Sequence, residues 1–229
     1  MRADALVVMA KAPLAGQVKT RLVPTLSPEQ AAQFARALLA DQLNHVRQIE
    51  HADLYLAFAP EGARGPMEAL APPLFRLFPQ EGVDLGARMQ AGFEKLFHTG
   101  HRRVILIGGD LPPVPLVYFE QAYAYLDASD PRVVLGPSRD GGYYLVGLNW
   151  PLPEMFENMT WSHDGVLAQT LAKLAQLKIT HHLLSSWFDV DTAEDLRALR
   201  NALDCASLAD SMPETIKFLR DPEIRKSLI

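Results

Sequence analysis

Short apolar runs alternate with longer helical stripes along most of the chain. Residues 5–10 (ALVVMA) form an apolar run bounded by Asp4 and Lys11, which predicts a buried first strand. A loop follows over 11–26. Ser27-Pro28-Glu29-Gln30 carries the signals of a helix start: Ser as N-cap, Pro at the first helical position and Gln closing a capping box. Phe34, Leu38, Leu39, Leu43, Val46 and Ile49 continue that helix on one face. Residues 53–59 (DLYLAFA) alternate and predict a strand with Leu54, Leu56 and Phe58 on one side. The Pro/Gly-rich stretch 60–73 has room for a single helical turn. A short strand follows at 74–78, and Leu85, Met89, Phe93, Leu96 and Phe97 mark a helix that Gly100 ends.

The second half repeats the alternation with one break. Residues 103–107 (RVILI) read as a strand that runs straight into Gly108-Gly109-Asp110, and Pro115 opens a helix. Strands at 133–135 and 143–148 have only Gly136–Gly142 between them, with no helix. A helix over 166–177, a strand over 179–184 and a helix over 192–203 complete the pattern, the last with Thr192 and Asp195 as a capping box. In the strand, His181 and His182 are expected to point one inward and one outward. From Ser207 the tail reads as short amphipathic helix packed on the body. Alternating strands and helices predict a three-layer α/β/α fold on a mostly parallel sheet, and the helix-free pair makes the sheet mixed.

Composition narrows the class. The chain has 229 residues with no linker or repeat, so it reads as one domain, with 206–229 as a helical tail. An apolar content of 48 % and a net charge of −5 exclude intrinsic disorder and argue against a nucleic-acid binder. The single cysteine, Cys205, excludes a disulfide scaffold and fits a reducing, cytoplasmic setting. No apolar run approaches the ~18–20 residues of a membrane span.

Ligands of open α/β sheets bind beyond the carboxyl ends of the strands, so the residues just after each strand are the candidates. Lys11–Arg21 (KAPLAGQVKTR) offers a glycine, three cations and a hydroxyl, a composition suited to phosphate or to a plain solvated loop. Its G-x-x-K-T spacing is neither a P-loop nor a dinucleotide fingerprint. Asp110, behind two glycines at a strand end, suits a hard divalent cation or the cap of the next turn. In Trp187–Thr192 (WFDVDT), Asp189 and Asp191 share one face if extended, and one of them is the natural second carboxylate. Asp140-Gly141-Gly142-Tyr143 is a tight turn that also leaves room for a ligand. His163, in a loop, is a metal ligand, a substrate contact or an ordinary surface residue. No G-x-S-x-G elbow, H-E-x-x-H helix or Cys/His cluster is present, which removes α/β-hydrolase and zinc chemistry.

Taken in order, MAKAPLAGQVKTRL, DLGARM, GGDLP, GPSRDGGYYLVGL and FDVDTAEDL resemble the DUF2064 family of glycosyltransferase A-type (GT-A) proteins. Members are described as nucleotide-diphospho-sugar transferases, some as arsenosugar biosynthesis glycosyltransferases. The wider superfamily includes molybdenum-cofactor and phospholactate guanylyltransferases. The resemblance spans about residues 5–200 and implies a nucleotide-binding half over 1–110 and an acceptor-binding half over 111–205. It implies that Ala10, Lys11, Gly16, Lys19 and Arg21 hold the nucleotide and its phosphates, with Asp84, Leu85 and Gly86 near base and ribose. It makes Asp110 the metal aspartate and Asp191 its second carboxylate, with Asp189 beside it. The family's usual serine before the metal aspartate is Gly109 here.

The expected activity is then metal-dependent glycosyl transfer from a sugar nucleotide to a small-molecule acceptor, with Mg²⁺ or Mn²⁺ as cofactor. Lys19 and Asp110 would act on the phosphates. Asp140 would bind or deprotonate the acceptor beside Gly141, Gly142 and Tyr143. Two alternatives use the same cradle: nucleotidyl transfer from an NTP to a phosphorylated acceptor, and nucleotide binding without turnover.

Overall fold

The computed structural model describes residues 2–23, 25–203 and 206–227; Cys205 lies outside them. The order is β1 (Asp4–Lys11), α1 (Pro28–Val46), β2 (Ala52–Ala59), α2 (Arg64–Leu70), β3 (Arg76–Pro79), α3 (Leu85–His98) and β4 (Arg103–Gly108). It continues with α4 (Leu116–Leu126), β5 (Arg132–Pro137), β6 (Tyr143–Leu148), α5 (Val166–Leu177), β7 (Thr180–Leu183), α6 (Ala193–Ala202), α7 (Ala206–Ala209), α8 (Pro213–Arg220) and α9 (Pro222–Ser227). The seven strands form one sheet in the order β3-β2-β1-β4-β6-β5-β7. Every neighbouring pair is parallel except those made by β6, which runs antiparallel to both β4 and β5.

That reversal matters for the site. Because β6 runs against its neighbours, the turn between β5 and β6 lands at the carboxyl end of the parallel strands. Four loops therefore meet at one edge: those after β1 and β4, the β5–β6 turn, and the segment after β7.

Both faces of the sheet are covered. Leu6, Val8, Leu56, Phe58, Ile105 and Ile107 pack with α1, α2 and α4, through residues such as Leu43, Met67 and Phe119. Val7, Tyr55, Ala57, Leu106 and Val146 pack with α3 and α5. The alternation expected in β2 is thus incomplete: Tyr55 and Ala57 are buried as well as Leu54, Leu56 and Phe58, as a strand inside a parallel sheet requires.

A third apolar cluster sits outside the sandwich. Leu22 and Leu26 of the first loop join Phe34 and Leu38 of α1, Val190, Leu196 and Leu199, and Met212, Leu219 and Ile224 of the tail. The tail therefore docks as expected, and Asp41 of α1 fixes it. The Asp41 carboxylate, fully buried, accepts hydrogen bonds from the Glu214 N–H (3.0 Å) and the Thr215 N–H (2.8 Å) at the start of α8.

Several expectations are corrected. The segment 60–73 holds a 3-10 turn (Glu61–Ala63) and the two-turn α2, not one turn. The strand placed at 74–78 is Arg76–Pro79, because Phe75 closes a turn through its N–H to Pro72 O (3.0 Å). The first loop contains a 3-10 turn at Thr20–Leu22. His181 and His182 are both exposed, since β7 is an edge strand, and His182 lies against Tyr125 at 5.1 Å.

Candidate functional site

The first loop is held by its apolar residues. Leu22 and Leu26 are buried in the third cluster, which ties the 3-10 turn to α1 and α6. Lys19, just before that turn, takes a left-handed backbone conformation (φ 47°, ψ 38°), uncommon for a residue with a side chain. This turns the Lys19 side chain inward, where it is 2 % exposed. Val190 belongs to the same cluster. With Val190 pointing in, its neighbours Asp189 and Asp191 point out toward the cleft. One apolar cluster thus sets a lysine and two aspartates, far apart in sequence, side by side.

The Lys19 ammonium is the centre of the site. It donates to the Asp110 carbonyl oxygen at 2.7 Å and to Asp191 Oδ1 at 2.9 Å, and lies 3.4 Å from Asp110 Oδ2. Arg21 stands farther out, 3.8 Å from Asp191 Oδ2. Burial pulls the Lys19 pKa down, but the charges and hydrogen bonds of Asp110 and Asp191 outweigh it, and the net direction is up. Asp189 is shifted up by burial, then by the charges of Asp140 and Asp191.

The loop after β4 is tied through its carbonyls. Pro112, Pro113 and Pro115 carry no N–H, so half of the positions in Asp110–Pro115 can bond through the backbone only as acceptors. Three side-chain donors reach carbonyls of this loop: Lys19 Nζ at Asp110 O, Trp187 Nε1 at Pro112 O (2.9 Å) and His45 Nε2 at Val114 O (2.9 Å).

The β5–β6 turn is built around Asp140. Its Oδ1 accepts from the Gly142 N–H (3.1 Å) and from the Ser138 hydroxyl. Gly141 has φ 88°, a conformation glycine adopts freely, and a side chain there would collide with the Asp164 carbonyl. Its own carbonyl accepts from Leu167 N (2.9 Å), fastening the turn to the start of α5.

Together these loops enclose a cleft of about 1220 Å³. Ala10, Lys11, Lys19, Arg21, Asp84, Leu85, Asp110, Asp140, Gly142, Tyr143, Asp189 and Asp191 of the expected residues line it. Gly16, Gly86 and Gly141 do not. Gly16 is an exposed turn residue with φ 75°. Gly86 lies beneath the Trp161 indole, which would run into any side chain there. Asp84 caps α3 through Oδ1, which accepts from Ala87 N (2.8 Å). The Tyr143 hydroxyl is buried, so only its ring borders the cleft.

Both ring nitrogens of His163 are engaged by backbone groups. Its Nδ1 accepts from the Gly165 N–H (2.9 Å), so Nε2 carries the proton and donates to Thr160 O (3.1 Å). It pins the loop that carries Trp161. Sequence reasoning missed Gln80, whose amide donates to Ala57 O (2.9 Å) and Ala10 O (3.3 Å) at the cleft wall. It also missed the Trp187 indole bond. A lone polar residue after a strand is a weak signal in each case.

Among the described residues, no three acidic, histidine or cysteine side chains converge tightly enough to hold a metal alone. Asp189 therefore does not complete a set with Asp110 and Asp191. Two carboxylates converging on one cation, with only oxygen donors near, do suit a magnesium-like ion that takes its remaining ligands from phosphate and water.

Comparison with known proteins agrees with this frame. The model of the family described as "Uncharacterized protein conserved in bacteria (DUF2064)" matches residues 42–163. A "putative nucleotide-diphospho-sugar transferase" from Desulfovibrio desulfuricans G20 is 30 % identical, with TM-score 0.89 over 99 % of both chains. The 4-diphosphocytidyl-2C-methyl-D-erythritol synthase of Anaerococcus prevotii DSM 20548 superposes with TM-score 0.57 at 10 % identity, covering 88 % of this chain and 99 % of the other. Rv0371c of Mycobacterium tuberculosis H37Rv, solved in complex with manganese, gives 0.52 at 19 % identity over 86 % and 97 %. No match was found among curated proteins. The seven-stranded mixed sheet is thus the fold of the nucleotide-diphospho-sugar transferases, and the chain belongs to the DUF2064 family.

Proposed function

We propose that the protein is a transferase acting on a nucleoside-diphosphate sugar, moving the sugar to a small-molecule acceptor. One observation carries the reading: the nearly inaccessible Lys19 ammonium is gripped at once by Asp110 and Asp191, at the end of the sheet where open α/β folds bind ligands. The D. desulfuricans relative supports the substrate class.

In this reaction the sugar C1–oxygen bond to the β-phosphate breaks and the acceptor oxygen takes its place at C1. The nucleoside diphosphate leaves with the bonding electrons, and the acceptor proton passes to a base. Lys19 and Arg21 face the diphosphate and stabilise the charge that grows on it. Lys11, at the cleft wall, borders the nucleotide. Asp110 and Asp191 would hold Mg²⁺ or Mn²⁺, which supplies Lewis-acid neutralisation of the leaving group when bound. Asp140 has Oδ1 fixed by its own turn and Oδ2 without a partner among the described residues, which suits it to orient the acceptor hydroxyl or accept its proton.

The test is a product screen. The protein is incubated with Mn²⁺ and a panel of sugar nucleotides and NTPs, with and without pooled small-molecule acceptors. Release of a nucleoside diphosphate from one sugar nucleotide supports the reading, and D110N and D191N should each slow it about 10²–10³-fold. Acceptor-dependent pyrophosphate from an NTP would instead identify nucleotidyl transfer, and binding without turnover a nucleotide sensor.

A further inference from the structure

The catalytic carboxylates stand on separate loops, yet a bound diphosphate needs their spacing held to a fraction of an ångström. After β7 the chain runs on beside β5 as an irregular strap that carries Asp189 and Asp191. Leu184 N donates to Leu135 O (2.9 Å) and Trp187 N to Pro137 O (3.0 Å), and Trp187 bridges Ser138 in parallel register. Tyr144 Oη adds a bond to Ser185 O (3.1 Å). These contacts tie the strap to the hairpin that bears Asp140.

Two side chains tie it sideways to the Asp110 loop among the described residues: Lys19, whose ammonium reaches both aspartates, and the Trp187 indole. Trp187 Nε1 donates to Pro112 O at 2.9 Å, two residues beyond Asp110. Among the described residues, no other hydrogen bond runs directly between segments 108–114 and 184–191. Indole is a donor without an acceptor, and Pro112 offers a carbonyl without an N–H, so the pairing is complementary. The ring cannot easily turn away: it meets Tyr118 of α4 edge-on at 6.2 Å and 87°, and lies 5.1 Å from Phe188.

We propose that Trp187 is a positioning residue that sets the distance between Asp110 and Asp191, through its indole N–H on the Pro112 carbonyl. This rests on the reading of those two aspartates as the metal and phosphate end of the site. Trp187 does not line the cleft. It acts as a spacer between two loops whose carboxylates must face one ion, and removing its N–H lets the Asp110 loop drift while the sheet below stays intact.

The experiment uses the full chain with W187F, which removes the N–H and keeps a ring, and with a 3-benzothienylalanine replacement, which keeps the shape and loses only the N–H. Y144F serves as the matched control, because it loosens the strap without touching Pro112. Three quantities are read: hydrogen exchange of segments 108–116 and 187–192, affinity for Mn²⁺ alone, and affinity for inorganic pyrophosphate without metal. Both Trp187 variants should raise exchange in both segments and weaken Mn²⁺ about tenfold, with pyrophosphate affinity unchanged. Y144F should raise exchange only in 187–192. Unchanged exchange in 108–116, or equal losses of Mn²⁺ and pyrophosphate affinity, would overturn the proposal. If the wild-type protein binds no Mn²⁺, the metal reading fails, and the exchange pattern alone decides the role of Trp187.

Discussion

Lys19 and Asp191 are 172 positions apart in sequence, and their Nζ and Oδ1 atoms are 2.9 Å apart in the fold. The ammonium bonds the same two carboxylates that are proposed to hold a divalent cation. K19M should therefore do two opposite things. Product formation should fall about 10²–10³-fold, because a phosphate-facing charge is gone. Affinity for Mn²⁺ in the absence of nucleotide should rise, because the same oxygens no longer serve an ammonium. Electron paramagnetic resonance titration reads the second effect; weaker Mn²⁺ binding in K19M would show that the lysine builds the site and does not compete for it.

Gly86 and Trp161 give a second prediction. The indole covers Gly86 and continues a stack through Phe156 (6.4 Å) to Phe93 (5.8 Å). G86A should push the indole off, at a cost of about 1–3 kcal/mol in stability. Near-ultraviolet circular dichroism should lose tryptophan signal, and nucleotide affinity should change with it because Trp161 lines the cleft.

The tail offers a third. D41A removes the acceptor for two N–H groups at the start of α8 and should cost about 1–2 kcal/mol. Limited proteolysis should then cut ahead of Pro213 much faster than in the wild-type protein, while the sheet retains its melting behaviour.

His45 supplies a pH dependence. Burial lowers its pKa below 6.5, against the opposing effect of its bond to Val114 O. A lowered folded-state pKa means that the neutral ring stabilises the fold above the unfolded pKa. That contribution is lost as pH falls through the folded value. The melting-temperature difference between wild type and H45Q should be flat above pH 6.5 and move against the wild type below it. A flat difference down to pH 4 would remove His45 from the anchoring of the Asp110 loop.

The sequence was most readable where local chemistry decides structure. The Ser27–Gln30 and Thr192–Asp195 capping boxes form as read, because each needs only four neighbouring residues. The missing helix between β5 and β6 correctly signalled an antiparallel strand. Reading failed where the decision is made elsewhere in the chain. Nothing near His181 shows that β7 ends up at the sheet edge, and nothing near Gly86 shows that Trp161 lies over it. The candidate aspartates were legible from their place after strands, but their meeting at Lys19 depends on Leu22, Leu26 and Val190 sharing one apolar cluster. No sequence spacing encodes that meeting.

The far end of the sheet is organised differently. Arg103 clamps Asp4 with two bonds (2.5 and 2.9 Å) and reaches Asp127 at 3.2 Å, while His101 and Arg76 converge on Asp53. Strand starts are thus locked by charge, and strand ends are left to loops. A frame bolted at its base can exchange one rim hairpin, such as 138–142, for another without renegotiating its foundations.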